Sequence, residues 1–547
     1  MAGSHDRDEV YQGEQMLPPG TFLLIREDER DETHGRREVV LDPVPSSDPN
    51  EPLNWSTARK AVNYTLVLAV SCVIFTAVTI QTIFWQMMVV DLNVTYTQLN
   101  NALSLNFVGL AMGCVFFIPL AKKFGRRPVY LVSTALIVVT TFWSSEMQTL
   151  GELYGSNLIQ GLAGATNECI VQMTISDLFF VHHRGTMNTL YMCMVMIGSF
   201  LSPIAAGTQA TNMGWRSSYR TLGIFTTIIL VLFCFLYEET KYGKVIEGLS
   251  SSDSVEERHT VVNNLKSEQK IEARDDEPTR PSMGMNTNHQ VDATIPMRSW
   301  KQRLAFHTYT PESIWPYFYR PFVVLSTFPT VIFCAVQYAF SVAFLTIIIT
   351  VTSLVFPNPP YNFTSQQVGF MGLGPFVGNL LGAIYGGIFG DWSILYFSRR
   401  NKGYYEPEMR LYTLHLPALF MSGGLIMFGV TLDRGMHWIY PSIGGAFFGF
   451  GLGCIGDVSL TLVIDSYRNL TGDAFTGVAF LRNVISIGVP FGITPWISNS
   501  GLQNMFIECG FISLLVLSLT ILIILYGKRS RARLAPQYAA MSKWKSN

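Results

Sequence analysis

The chain is 547 residues long, 49% hydrophobic and only 14% charged, with 37 phenylalanines and a formal net charge of −1. Its mean hydropathy is positive and its charges crowd into a few polar stretches, which excludes an ordinary soluble domain; the near-zero balance gives no reason to expect a nucleic-acid partner. Twelve apolar runs, six and six around a polar stretch of about 80 residues from Glu238 to Arg320, predict an all-α membrane protein. About 20 apolar residues at ~1.5 Å rise cross a hydrocarbon core of ~30 Å.

In chain order, residues 1–60 hold no apolar core that could serve as a cleavable signal, so they read as a disordered cytosolic tail and the first span does the targeting. Spans near 61–85, 98–121, 128–146, 152–174, 186–210 and 219–237 make a first six-helix bundle over 61–237. The stretch 238–320 is a cytosolic central loop, and Ser250 to Arg298 is too poor in large apolar residues to order itself. It reads as a solvated tether or, more sharply, as a phosphorylation segment. The mix around Trp300, Trp315, Tyr317 and Phe318 predicts a short amphipathic piece on the inner leaflet. Spans near 321–350, 366–390, 411–431, 437–464, 473–497 and 505–526 make a second six-helix bundle over 321–526, and 527–547 is a cytosolic tail.

Basic residues orient the spans. One set of alternate loops carries Lys122, Lys123, Arg126, Arg127, Arg184, Arg399, Arg400, Lys402, Arg410 and Arg468; the opposite set carries Arg216 and Arg434. Both termini and the central loop are therefore expected in the cytosol. Of the N-x-[ST] sequons, that orientation leaves Asn93 and Asn362 in outer loops as glycosylation candidates. The plasma membrane is the default location, and a vacuolar membrane fits equally. Seven of the eight cysteines fall inside spans and Cys509 lies early in the twelfth, without metal-ligand spacing, so no disulfide framework, metal site or cofactor is expected.

Between spans two and three the chain reads Lys122-Lys123-Phe124-Gly125-Arg126-Arg127-Pro128. The corresponding loop of the second half reads Gly387-Ile388-Phe389-Gly390-Asp391, then Arg399-Arg400-Asn401-Lys402-Gly403. Span five holds Gly198, Ser202, Pro203 and Gly207, small residues that let helices approach around a proline that bends the chain. These motifs on a six-plus-six pattern resemble the major facilitator superfamily, whose loop motif G-x-x-x-D-[RK]-x-G-[RK]-[RK] keeps only its basic part in the first half. Its acidic position is Lys122 and its leading glycine Ile118. The span-five residues look like that family's antiporter signature G-x-x-x-G-P-x-x-G-G. Asp48 to Ser56, Asp177 to Gly185, Arg400 to Gly403 and Glu406 to Leu411 resemble the fungal twelve-span drug:proton antiporters, so that the resemblance covers nearly the whole chain. It departs at His183-Arg184-Gly185, where relatives have Glu-Arg-Gly, and at Asn157, where the R-x-x-Q-G arginine of span four would stand. A coupling role carried by that arginine does not transfer. The resemblance implies a major facilitator fold of two six-helix bundles, twelve transmembrane helices in all.

In span four Asn157, Gly161, Gly164, Glu168 and Gln172 recur at helical spacing and share one stripe. Lipid would make Glu168 very costly, so the stripe is expected to face a cavity. There a proton can neutralise the carboxylate and a cationic or hydrogen-bonding substrate can displace that proton; the alternative is a structural carboxyl held between helices. Span ten repeats the device with Gly453, Asp457, Thr461 and Asp465. Glu168 and Asp457 are thus the proton-coupling candidates, with Arg482 of span eleven as counter-charge for Asp457 or as a snorkelling side chain. Asp177 and Asp465, at the cytosolic ends, are expected to pair with Arg126, Arg127 or loop arginines such as Arg184 and, with Asp391, to latch an inner gate, or simply to be solvated. Trp85, Asn106, Gln172, Tyr191, Gln337, Tyr338, Ser341, Asn379 and Arg482 are cavity candidates, although polar groups in membrane helices also serve to stitch helices together.

Phosphate-loop, H-E-x-x-H and G-x-S-x-G motifs are absent, so the chain reads as a non-enzyme. The reading that results is a monomeric, proton-coupled secondary transporter in the lipid bilayer, with a small molecule and protons as partners. It would export an amphiphilic metabolite, toxin or drug by rocking two halves around a central site. An importer of organic cations such as polyamines is the alternative. A non-transporting receptor is a third, against which the short tail after span twelve counts.

Overall fold

The computed structural model describes residues 18–23, 48–241, 296–304 and 313–542. The first bundle comprises α1 (Thr57–Ile80), α2 (Trp85–Leu92), α3 (Tyr96–Phe124), α4 (Arg126–Glu146), α5 (Leu150–Gly164), α6 (Thr166–Leu178), α7 (Val181–Met196), α8 (Ser202–Met213) and α9 (Trp215–Leu236). A single helical turn, α10 (Trp300–Arg303), is followed by the second bundle: α11 (Trp315–Thr327), α12 (Pro329–Val355), α13 (Ser365–Phe370), α14 (Leu373–Arg400), α15 (His415–Asp433), α16 (Ile439–Ser466), α17 (Thr471–Ser500) and α18 (Leu502–Ser542). Strand β1 (Phe22–Leu23) pairs antiparallel with β2 (Tyr404–Tyr405).

Local chemistry sets these boundaries. Thr95, Thr149 and Thr364 open α3, α5 and α13 with capping boxes to Gln98, Glu152 and Gln367, satisfying N–H groups that the first turn leaves without partners. Proline acts differently in three helices. In span five the ladder widens to a π-type turn over Ile197–Leu201 just ahead of Pro203, which has no N–H to donate. At the entry to span seven Phe328 is extended (φ −104°, ψ 106°) before Pro329, so α11 and α12 are separate helices and the span begins later than expected from 321–350. Pro119 is accommodated within α3.

Among the described residues, eleven helices are long and apolar enough to cross a membrane. The missing twelfth is span four, expected as one helix over 152–174 and found as α5 and α6. The ladder is interrupted at Ala165, where the Glu168 N–H bonds three residues back to the Ala165 carbonyl at 3.2 Å. Two further expectations need correction. The tail expected to be disordered over 1–60 is ordered at 18–23 and 48–56, because both pieces find partners on the bundles. The tail expected over 527–547 continues as helix α18 to Ser542.

Each half has its own apolar core, around Trp85, Leu99 and Trp215 and around Tyr130 and Ile170 in the first, and around Val331, Phe428, Phe448 and Ile455 in the second. Phe225, Phe235, Leu381, Ile388, Leu515 and Leu525 point outward, as surfaces facing lipid do. The halves meet along α3 with α17 and α8 with α13. Both described termini and the flanks of the central loop gather at one end of the bundle, termed the basal end below.

Candidate functional site

A charged cluster lies between the halves, carried by helices of both. Glu168, in the first turn of α6, forms an ion pair with Arg482 of α17, their side chains 7% and 11% exposed. Asn483 Nδ2 donates to Glu168 Oε2 at 2.8 Å, and its Oδ1 accepts from Arg482 Nε and Nη2 at 3.2 and 3.0 Å. Cys114 of α3 places its Sγ 3.7 Å from Glu168 Oε2, and the ring of Tyr338 on α12 centres 5.3 Å from the guanidinium. Four helices, α3, α6, α12 and α17, thus contribute to one cluster. Arg482 was expected opposite Asp457; it serves Glu168 instead, because α17 lies against α3 and α6 of the other half.

Close backbone packing holds span four in place. A Cβ on Gly161 would lie 1.9 Å from the Asn106 carbonyl oxygen of α3, and one on Gly113 would lie 2.5 Å from the Ala165 methyl. Span ten repeats this packing, since a Cβ on Gly453 would lie 2.2 Å from the Asn379 carbonyl oxygen of α14. Asp457, one turn further on, sits beside Gly386, and its carboxylate makes no ion pair or hydrogen bond among the described residues.

Most other cavity candidates hold neighbouring chain. Asn106 Nδ2 donates to the Asn157 carbonyl (3.1 Å), Gln172 Nε2 to Asn188 Oδ1 (2.8 Å), the Tyr191 hydroxyl to the Asn167 carbonyl (3.1 Å) and Gln337 Nε2 to the Val516 carbonyl (2.7 Å). Ser341 donates to the Gln337 carbonyl within its own helix, and Asn379 is buried against Gly453. Trp85 is 1% exposed in the first half's core with its Nε1 unpartnered. Of that set, Tyr338 and Arg482 gather around Glu168.

At the basal end Asp177 pairs with Arg126 at 3.0 Å, and the Glu239 carboxylate accepts the Arg126 and Arg127 N–H groups at 2.9 and 3.1 Å, capping α4. In the second half Arg410 bridges Asp465 (3.3 Å) and the exposed Asp391 (3.4 Å), and the Tyr405 hydroxyl donates to Asp465 at 2.5 Å. Burial, and then the Asp465 charge, push the Tyr405 phenol far above its ordinary range, so it remains a donor. Arg127 and Arg184 differ from expectation: Arg127 donates to the Leu304 and Cys234 carbonyls, and Arg184 to those of Ser176 and Phe179, where backbone at helix ends is open.

Lys122, standing where an acidic residue was looked for, forms an ion pair with Asp473 at the start of α17 and so joins the halves at the basal end. The opposite end is joined too: Asn100 donates to Thr494 at 3.1 Å, and a Cβ on Gly207 would lie 2.6 Å from the Ser365 carbonyl oxygen. Gly198 packs equally closely on Cys72 of α1, and Ser202 donates to the Ile197 carbonyl across the π-type turn before Pro203. Asn93 and Asn362 are exposed, each with positive φ at a chain turn. Sequence reasoning missed Asn483, Cys114 and Asp473; the charge reversal at Lys122 was the one visible signal for an acidic partner elsewhere.

This architecture, two six-helix halves closing on a buried charge cluster, defines a membrane carrier. The chain belongs to the Major Facilitator Superfamily, whose sequence profile matches residues 66–490. It is 28% identical to a transporter of this superfamily from Schizosaccharomyces pombe over 95% of this chain and 94% of that one, and 28% identical to protein HOL1 of Saccharomyces cerevisiae over 90% of each. It is 24% identical to the antiporter QDR3 of Candida albicans, covering 82% of this chain and 75% of that one. A solved peptide transporter shares the fold with a TM-score of 0.58 at 12% identity, over 87% of this chain and 96% of that one.

Proposed function

We propose that the protein is a proton-coupled carrier in which Glu168 is the exchangeable carboxylate, and that it exports small amphiphilic compounds by alternating access. The observation that carries this is the Glu168–Arg482 pair between the halves. Protonating Glu168 removes one partner and leaves a buried guanidinium, a penalty of several kcal/mol that is relieved when the halves separate and water or substrate reaches Arg482. The carboxylate thereby links proton binding to opening. In the orientation set by the basic loops the basal end is cytosolic, and Lys122–Asp473, Asp177–Arg126 and Asp465–Arg410 form the inner latch. Export is supported by the antiporter relative and by the span-five motif.

One observation favours a second reading, proton-coupled uptake of small organic cations: Asp457 adds a second carboxylate in the spans that makes no ion pair among the described residues. Purified protein in proteoliposomes, given an imposed pH gradient and either ethidium or labelled spermidine, separates the readings. Net movement of ethidium against the proton flow supports export; spermidine moving with protons supports uptake. Movement of neither probe, with no accompanying proton flux, counts against both.

A further inference from the structure

The basal face of the second half holds a peptide, and the peptide is the chain's own. Pro18 to Leu23 turns through Gly20 (φ +80°), with the Thr21 N–H bonded to the Pro18 carbonyl at 3.0 Å, and then pairs as β1 with Tyr404–Tyr405. Arg531, in the basal extension of α18, is fully buried. It forms a bidentate pair with Glu408 at 2.9 and 2.6 Å and turns its remaining nitrogen to the Pro19 carbonyl and, at 3.1 Å, the Thr21 hydroxyl. A guanidinium whose fork is filled by a carboxylate and whose last donors read a backbone carbonyl and a hydroxyl is a fixed, specific receptor. Gly20 lies so close that a Cβ there would sit 2.5 Å from the Asp465 carbonyl oxygen.

The dock adjoins the latch. Tyr405, in the strand that β1 augments, holds Asp465, and Asp465 holds Arg410. The other described part of the N-terminal segment is fixed to the first half. Asn50 accepts from the Arg298 N–H at 2.8 Å, Trp55 donates to the Asn50 carbonyl at 3.2 Å and stacks on Arg59, and Arg59 pairs with Glu238.

We infer that Pro18–Leu23 is an intramolecular ligand of the second half, and that its docking braces the Asp465–Arg410 latch and favours the closed basal end; the second clause rests on reading the chain as a rocking carrier. Three forms of the full-length protein in nanodiscs test it: wild type, Gly20→Val and a deletion of residues 2–23. Hydrogen exchange reads docking, and thiol labelling of Thr476→Cys, buried beside the Lys122–Asp473 contact, reads basal opening by site-resolved mass spectrometry. Whichever of the Phe22 and Leu23 amides belongs to the hydrogen-bonded pair of the antiparallel ladder is expected to be protected in wild type and to lose that protection in Gly20→Val, where both the positive φ and the Asp465 contact exclude a side chain. Both altered forms are expected to label at least about 5-fold faster at position 476, the low end of coupling between two sites. Absence of protection at both amides in wild type overturns the docking. Protection lost in Gly20→Val with labelling unchanged in both forms overturns the brace, and neither result bears on whether Glu168 carries a proton.

Discussion

Spans four and ten begin from the same pattern and end in different electrostatic states. Each places a glycine against an asparagine carbonyl on the neighbouring span, Gly161 on Asn106 and Gly453 on Asn379, and each carries a carboxylate further along. Yet span four is interrupted at Ala165 and gives Glu168 to Arg482 of the other half, whereas span ten runs unbroken as α16 and leaves Asp457 without an ion pair among the described residues. A buried charge that bridges two moving bodies links their motion to its protonation. A buried charge within one body leaves its attraction available to a ligand. The first suits coupling and the second suits binding a cation.

The largest effects are expected where that contrast is broken outright. Glu168→Ala or Arg482→Ala leaves one buried charge uncompensated and should cost about 3–5 kcal/mol, read as a lowered unfolding temperature in detergent; the Glu168→Gln/Arg482→Gln double variant should recover much of the loss. Asp457→Asn should not destabilise, since no partner is stranded and a carboxylate without an ion pair is removed, while weakening uptake of a cationic probe. Equal losses at positions 168 and 457 would erase the distinction.

The shared packing yields the next prediction. Gly161→Ala and Gly453→Ala should each destabilise by about 1–3 kcal/mol through overpacking against backbone that cannot retreat, measured by the same thermal scans. A large loss in one span and none in the other would mean that the two glycines are not equivalent.

Much of this was legible from the sequence, and the failures have physical causes. Hydropathy located the spans because bilayer thickness dictates their length, and the Asn157 to Gln172 stripe marked span four as special. Spacing alone could not say which neighbour each stripe residue would meet. Gly161 faces α3, Glu168 faces α17 and Gln172 bonds Asn188, because the interruption at Ala165 and the surrounding helices divide one ideal face among several. Arg482 was sought as a partner within its own half, and its actual partner depends on how the halves dock. The order at residues 18–23 was hidden for a similar reason: a short Pro-Pro-Gly segment is held by β2, Asp465 and Arg531, the last more than 500 positions away in sequence.

Smaller effects concern the latches. Lys122→Asp should loosen the basal end by setting two carboxylates together where the native side chains are only 15% and 5% exposed, and Asp473→Lys in addition should restore much of the loss, followed through thiol labelling of Thr476→Cys. Tyr405→Phe should cost about 0.5–1.5 kcal/mol. Because the folded-state phenol is raised, that contribution is fully present below the ordinary tyrosine value of about 10 and is lost only as pH rises further. A stability difference that already fades between neutral pH and mild alkali would contradict this.

The most direct test compares wild type, Glu168→Gln and Asp457→Asn in proteoliposomes under an imposed pH gradient, using whichever of ethidium or spermidine the wild type concentrates. Glu168→Gln should lose concentrative transport while still allowing the probe to equilibrate, and Asp457→Asn should keep concentrative transport with weaker affinity. Full pH-driven accumulation by Glu168→Gln would contradict the assignment of the proton to span four.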